Sequence, residues 1–506
     1  MGSTPGKLRA STLAVLILAS LAAPTLCRAA SAQTGTTPES ALVGVDADLE
    51  RAMTGLHVPG ASVGVIQNGK VILAKGYGIR DIASNDQVDA DTVFTIGSMT
   101  KSFTATAAAA MMDDGKLDWD KPVVNYLPWF RLYDPVATQL ITPRDLLSHR
   151  SGLPSHDFIR ISTYMTREDL LHRIRFLEPN LTFRQAYEYN SLMYTVAGYL
   201  AGYVNESSWE ALVRQRIFLP LGMNSSSTSI AEMQRSKNFA HPHTLVDGRV
   251  VTTYFYDQQR FGMGPSGSVN SSINDMLKYL AFHLSDGKVE GHQVISTAQM
   301  REMHKETVII GDSTDYALGW IVSSYHGHRV LEHSGAVNGF TSYVILLPED
   351  KIGIVVLNNL ASPLPRTITS DLRDRLMGIP PGDYLEKVLA NETDEDRREK
   401  QARAKLEEAR IPNTKTTLPL AEYAGIYFHP AYGKIHVTVD GDGLKVQFDA
   451  YQLDLKHYHH DTFSYDAPPG RPNLAQFQIG ESGKVSALLL PLEPSVKPLT
   501  FVKGSQ

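Results

Sequence analysis

Strand-period patterning marks two separated stretches of this chain, with mostly helical periodicity between them, and that order restricts the fold more than any other feature. Near the start, "ASVGVIQNGKVILAKGYG" (61–78) places Val63 and Val65 before an Asn68-Gly69 turn and Val71 and Leu73 after it, the pattern of a β-hairpin. A short helical pattern at 40–55 precedes it. Strand patterns return at "YALGWIVSSYHGHRVLEHSG" (316–335), "TSYVILLPED" (341–350) and "KIGIVVLNN" (351–359), with a last helix near 366–377. Residues 116–300 are mostly helical in period and are broken by "HRSGLP" (149–154), "FLPLGM" (218–223) and "FGMGPSGS" (261–268). Strands at both ends and helices between predict an α+β domain whose terminal strands share one antiparallel sheet.

The patterning then changes. "GIPPGD" (378–383) breaks the chain, and "NETDEDRREKQARAKLEEAR" (391–410) reads as a charged, solvated helical connector. Beyond Pro412 alternation takes over: Ile435, Val437 and Val439 lead into the "DGDG" turn (440–443), and Leu444, Val446 and Phe448 lead back. About eight short strands in so short a stretch predict a small barrel or sandwich. The expected divisions are 1–32 (export signal), 33–378 (the α+β domain), 379–412 (linker) and 413–506 (the β-domain).

The export signal rests on Lys7 and Arg9, the apolar "STLAVLILASLAA" (11–23) and the small residues Ala30-Ser31-Ala32. The apolar stretch is short for a membrane span. It predicts cleavage and a secreted or periplasmic protein. Cys27, the only cysteine, falls inside this segment, so the expected mature chain has neither disulfide nor thiol chemistry. The net charge of −6 gives no electrostatic reason to expect nucleic acid or an anionic membrane surface as partner.

The chemistry concentrates at "TIGSMTKSFTATAAAAMM" (95–112), an alanine-rich helix that opens with Ser98 and, three residues on, Lys101. That spacing puts both side chains on one helix face. A serine hydroxyl needs a neighbour to take its proton, and a lysine can do so when burial lowers its pKa. A helix N-terminus also favours negative charge at Ser98. The same spacing in Ser285-Asp286-Gly287-Lys288 falls on an Asp-Gly turn, where nothing aligns the pair. Two further segments offer partners: "YEYNSLMYTVAGYLAG" (187–202) with Tyr189 and Ser191, and "EHSGAVNGF" (332–340) with His333, Ser334 and Gly335.

Together "GSMTKSF", "LLSHRSGLP", "YNSLMYTVAG", "PSGSVNSSINDM" and "HSGAVNGFTS" resemble the serine β-lactamase and penicillin-recognising superfamily. The branch is the one with class C β-lactamases, D-alanyl-D-alanine carboxypeptidases, D-aminopeptidases and related esterases. The resemblance covers roughly 40–375. It implies a β-lactamase/transpeptidase-like domain, an antiparallel sheet flanked by helices plus an all-helical subdomain. The tail "LAEYAGIYFHPAYGKIHVTVDGDGLKVQF" resembles the lipocalin-like β-domain of some D-stereospecific peptidases. By position the resemblance makes Ser98 the acylated nucleophile, with Lys101 assisting its deprotonation. Tyr189 becomes the proton shuttle. His333 stands where many relatives have lysine, on the strand bordering the site. The Ser98 and Ala336 N–H groups become the oxyanion hole, and Gly335 keeps the strand clear for substrate. Ser191 and Ser334 stand among the substrate-binding positions.

Two positions depart from the family pattern. Tyr-x-Asn reads Tyr189-Asn190-Ser191, and Lys-Thr-Gly reads His333-Ser334-Gly335, which removes a permanent charge. Both weaken the expectation of an efficient β-lactamase. The expected activity is a serine hydrolase cleaving a small peptide, amide or ester, D-peptidase-like or esterase-like, without cofactor or metal. A β-lactamase and a non-catalytic penicillin-binding sensor are the alternatives. Oligomerisation is open. Gly60-Ala61-Ser62-Val63-Gly64 has the G-x-S-x-G spelling, but it leads into a strand where that elbow needs a helix. The histidines 241/243, 326/328 and those of "HYHHD" (457–461) lack metallohydrolase spacing and are expected in exposed strands or loops.

Overall fold

The computed structural model describes residues 38–380, 382–467 and 471–504; the expected export segment and Cys27 lie outside them. Helix α1 (Val45–Gly55) leads into the hairpin β1 (Gly60–Gln67) and β2 (Lys70–Asp81), which ends on the short β3 (Asp86–Gln87). The next six strands come late in the chain: β4 (Val308–Gly311), β5 (Thr314–Tyr316), β6 (Ile321–Tyr325), β7 (His328–Val337), β8 (Phe340–Leu347) and β9 (Ile352–Asn358). They join the first three in one nine-stranded sheet, in the order β4-β5-β6-β7-β8-β9-β1-β2-β3. The seam between the two ends of the domain is antiparallel, with Val63 opposite Val356 and Val65 opposite Ile354.

Strand β9 is buried along its whole length, as expected of a strand covered on both faces. On one face α1 packs with α5 (Leu364–Leu376) through Leu49, Met53, Ile368 and Leu372. Helix α4 (Ile273–Leu284) lies against β1 and β9 on the other. Beneath it runs α2 (Thr100–Asp113), in which Phe103, Ala105, the run Ala107–Ala110 and Met111 are all buried. A helix apolar all round belongs in a core, and α2 is the central rod of this one. Helix α3 (Ser191–Val204) crosses it. Asn190 caps α3, accepting the Met193 N–H at 3.0 Å, the ordinary remedy for an unpaired first-turn donor.

Helix α6 (Tyr384–Glu408) begins earlier than its charge run predicts, because Leu385 packs with the α1–α5 cluster. After it, β10 (Gly425–His429), β11 (Gly433–Asp440), β12 (Gly443–Gln447), β13 (Gln452–His459), β14 (Thr462–Ala467), β15 (Arg471–Ile479), β16 (Val485–Leu490) and β17 (Leu499–Lys503) close into a barrel. Tyr427 and Phe428 of β10 pair with Lys503 and Val502 of β17, which leaves no free edge at the seam. Alternate residues such as Ile435, Val437, Leu444, Val446, Leu453 and Leu455 fill its interior. Of the two all-β forms expected, the chain adopts the barrel. No described helix is long and apolar enough to cross a membrane.

The barrel seats on residues 155–163 of the first domain. A Glu493 carboxylate oxygen accepts from the Ser155 hydroxyl at 3.2 Å and from the His156 N–H at 2.8 Å. The Ala450 N–H donates to Ser162 O at 2.9 Å, and Thr163 Oγ1 donates to Tyr432 O at 3.2 Å. Between these polar ties the Phe158 ring stands edge-on to Phe448 and Tyr451, with centroids 5.0 and 5.5 Å away. Edge-to-face pairs of this kind contribute about 0.5–1.5 kcal/mol each beyond the area they bury.

Candidate active site

Ser98 does not open the long helix directly. It sits in a single 3₁₀ turn, Gly97–Met99, and α2 starts at Thr100. The i, i+3 relation survives the change, and Lys101 Nζ lies 3.2 Å from Ser98 Oγ. Ser98 stays partly exposed while Lys101 is fully buried, so a substrate reaches the hydroxyl and water does not reach the amine.

Two further oxygens complete the surroundings of Lys101: Ser191 Oγ at 3.2 Å and Ser266 O at 3.0 Å. The loop 261–268 supplies the second of these. A carbonyl only accepts, so one N–H of the amine belongs to Ser266, and Ser191 takes another. A neutral amine has two N–H groups and a lone pair, so this arrangement leaves the lone pair free to accept from a serine hydroxyl such as that of Ser98. Burial, reinforced by the positive charge of Arg160, brings the Lys101 amine down to about 7. The amine is therefore partly neutral near neutral pH, as proton acceptance requires.

The Tyr189 ring stands 4.8 Å from the Lys101 amine, and its hydroxyl is within hydrogen-bonding reach of Ser98. Burial raises that hydroxyl to about 12 against the opposing Ser98 hydrogen bond, so it holds its proton at neutral pH and can only give one. His149 fixes the segment, and the sequence carried no expectation for it. Its carbonyl accepts the Glu188 N–H at 2.8 Å and its Nδ1 accepts the Asn190 N–H at 3.0 Å, so it grips the peptide groups on both sides of Tyr189. Its ring packs 4.4 Å from that of Tyr189, and burial holds the imidazole neutral.

The strand β7 corrects two expectations. His333 is buried and both ring nitrogens are engaged, Nδ1 at 2.6 Å from Ser334 O and Nε2 at 3.0 Å from Tyr316 Oη. Since a carbonyl only accepts, Nδ1 carries the proton and Nε2 accepts from the tyrosine. Burial, aided by the Lys101 charge, lowers this imidazole to about 4, so it is neutral and brings no charge to the strand. It stands beside the site as a structural residue, unlike the catalytic place its position implies. Gly335, expected to clear room for substrate, instead admits the protein's own backbone. A Cβ there would lie 1.9 Å from Ile96 O, a carbonyl that also accepts from Ser342 Oγ at 2.8 Å. The glycine draws the strand against the turn that carries Ser98. Ser334 is exposed on the same strand.

Ala336, expected to offer an oxyanion N–H, lies at the free end of the same strand. Strand β6 pairs with β7 only as far as Glu332, whereas β8 pairs with it to Val337, so 333–337 present an open edge. In a hairpin closed by Asn338-Gly339 the Val337–Phe340 pair is hydrogen-bonded, and alternation turns the Ala336 N–H outward to that edge. It faces the nucleophile turn: a Cβ on Gly97, whose φ is 52°, would lie 2.7 Å from Ala336 N. Gly97 is thus the residue that lets the Ala336 backbone come against the turn that carries Ser98, and a backbone N–H placed there suits a developing oxyanion.

The rejected spellings fold as ordinary structure. Ser62 is buried on β1, donating to Asp89 O at 3.0 Å. Ser285 Oγ donates to backbone carbonyls, among them Lys288 O at 2.8 Å, and does not meet the lysine amine. Among the grouped histidines His243 departs from expectation, being fully buried with Nδ1 3.1 Å from Asn359 O. Among the described residues, no cluster of three or more His, Cys, Asp or Glu is arranged to hold a metal ion.

The family model described as "Beta-lactamase" matches residues 45–377, the whole of the domain that holds these groups. The chain belongs to that family. A second model, a domain of unknown function (DUF3471), matches 409–503, the barrel. Among curated relatives, the unguisins hydrolase ungD of Aspergillus violaceofuscus is 26% identical over 91% of this chain and 90% of its own length. The protein flp of Staphylococcus aureus is 25% identical over 66% of each. A solved octameric penicillin-binding protein homologue from Pyrococcus abyssi superposes with a TM-score of 0.62 at 25% identity, over 91% of this chain and 99% of its own. SurE shares the fold, with a TM-score of 0.58 at 18% identity over 92% and 100%. The family is one of hydrolases.

Proposed function

We propose that this protein is an exported serine hydrolase that cleaves an amide or ester through an acyl-enzyme on Ser98, with D-peptidase-like or esterase-like specificity. The observation that carries the reading is the buried Lys101 amine, 3.2 Å from Ser98 Oγ and brought down to about 7. Ser98 Oγ attacks the substrate carbonyl carbon as its proton passes to Lys101 Nζ. The carbonyl oxygen, now negative, turns to the Ser98 and Ala336 N–H groups. Tyr189 gives its proton to the departing amine or alcohol and is reprotonated from Lys101. Water then attacks the ester along the reverse path and frees Ser98. Relatives named as hydrolases support a turnover enzyme rather than a sensor. The absence of a charge on His333 argues against efficient β-lactamase action.

Intact-mass analysis with an acyl-trapping probe tests this. Rapid labelling that Ser98→Ala abolishes, Ser285→Ala leaves intact and turnover then clears is the expected result. A stable label without turnover means a sensor, and labelling that survives Ser98→Ala refutes the assignment.

A further inference from the structure

With His333 neutral, the 333–337 end of the strand beside the nucleophile offers a substrate no cation, and the positive charge that acts on Lys101 is that of Arg160. Segment 153–162 starts beside Tyr189, where Asn190 Nδ2 donates to Leu153 O at 2.9 Å. It runs on to the short helix Ile159–Ser162, where the Tyr256 hydroxyl donates to Arg160 O. Residues 258–267 then return to the site, Gln258 Nε2 donating to Gly267 O at 3.0 Å next to the Ser266 carbonyl that meets Lys101. Arg160 therefore rides on a wall tied at both ends to the catalytic groups.

Among the described residues its charge meets one carboxylate, that of Asp157, on the Nε side. The Nε lies 2.9 Å from an Asp157 carboxylate oxygen, yet that buried nitrogen makes no hydrogen bond. Among the described residues nothing accepts from its two terminal nitrogens, and the side chain remains 31% exposed. The guanidinium charge is felt at Lys101, Tyr189 and Tyr256, more strongly than the opposing Asp157 carboxylate. Asp157 is 57% exposed. The barrel, through Glu493 on His156 and through Phe448 and Tyr451 on Phe158, keeps this segment in place.

We propose that Arg160 is the anion subsite of this enzyme, its free guanidinium edge receiving a carboxylate on the substrate and so selecting acidic over neutral peptides or esters. The two terminal nitrogens match a carboxylate's two oxygens. This deepens the hydrolase reading and rests on it for the identity of the bound molecule.

Binding, which needs no turnover, tests it. N-acetyl dipeptides of D- and of L-residues, each as free acid and as C-terminal amide, are titrated calorimetrically into full-length Ser98→Ala. The expected result is an acid bound about 10- to 100-fold more tightly than its amide, the range for one charge-assisted contact. Adding Arg160→Gln should erase that preference while the amide affinity stays within about twofold, and Arg160→Lys should keep part of it. Equal binding of acid and amide, no binding of any acid, or a preference that survives Arg160→Gln overturns the proposal. Wild-type acylation by a neutral ester probe, measured alongside, reports separately on the hydrolase reading.

Discussion

Replacing Lys101 by methionine should make this protein inactive and, near neutral pH, more stable. The lysine amine falls from 10.5 in water to about 7 in the fold, chiefly because it is buried. The sign follows from linkage. A base whose folded pKa is depressed penalises the native state at every pH below its unfolded value. The penalty is complete below about pH 7 and vanishes above 10.5. Comparing proton binding in the two states gives about 4 kcal/mol at pH 7 and about 1.5 kcal/mol at pH 9.5. Methionine carries no charge and has nearly the same reach. It forfeits the contacts to Ser191 Oγ and Ser266 O, a loss of about 1–3 kcal/mol. The variant should therefore gain about 1–3 kcal/mol at pH 7, and the gain should shrink by about 3 kcal/mol on going to pH 9.5. Other titrating groups cancel, since both proteins share them. Urea unfolding followed by tryptophan fluorescence at the two pH values measures the difference. An equal difference at both would show that the amine is not desolvated, and Lys101 could no longer be the base.

Three further expectations follow from the same geometry. The kcat/KM of the wild type should rise with pH through about 7 as Lys101 loses its proton, and a profile flat from pH 5 to 9 would exclude it as the base. Tyr189→Phe should slow turnover about 10²-fold or more with little change in KM, as loss of a proton donor does; an unchanged rate in steady-state assays would remove the tyrosine from the mechanism. Gly97→Ala sets a side chain at positive φ and against Ala336 N. It should cost about 1–2 kcal/mol in thermal unfolding and about 10²- to 10³-fold in kcat, and a fully active variant would dissolve the two-donor arrangement.

The sequence made part of this site visible because part of it is periodic. Ser98 and Lys101 declared themselves by helical spacing, and their contact at 3.2 Å holds even though a 3₁₀ turn replaces the first turn of the helix. The sheet was legible for the same reason, since Val63 and Val65 alternate on β1 and an apolar run marks β9, at opposite ends of the domain. What stayed hidden has no side-chain signature. Ser266 contributes a carbonyl, Ala336 faces the site through pairing register, and His149 holds Tyr189 through its main chain as much as its ring. Position alone also misled. His333 occupies a family lysine's place, but burial and two hydrogen bonds withdraw it. Gly335 admits Ile96 O, which a linear pattern cannot show.

The seat of the barrel on residues 155–163 also has a consequence for how this protein matures. Glu493 emerges from the ribosome long after the serine and lysine whose surroundings it steadies. A nascent first domain would hold its nucleophile and base together yet lack the brace behind one wall of the cleft. The Glu493 ties would form only with the last strands, so a chain cut short before them would leave segment 155–163 without this brace.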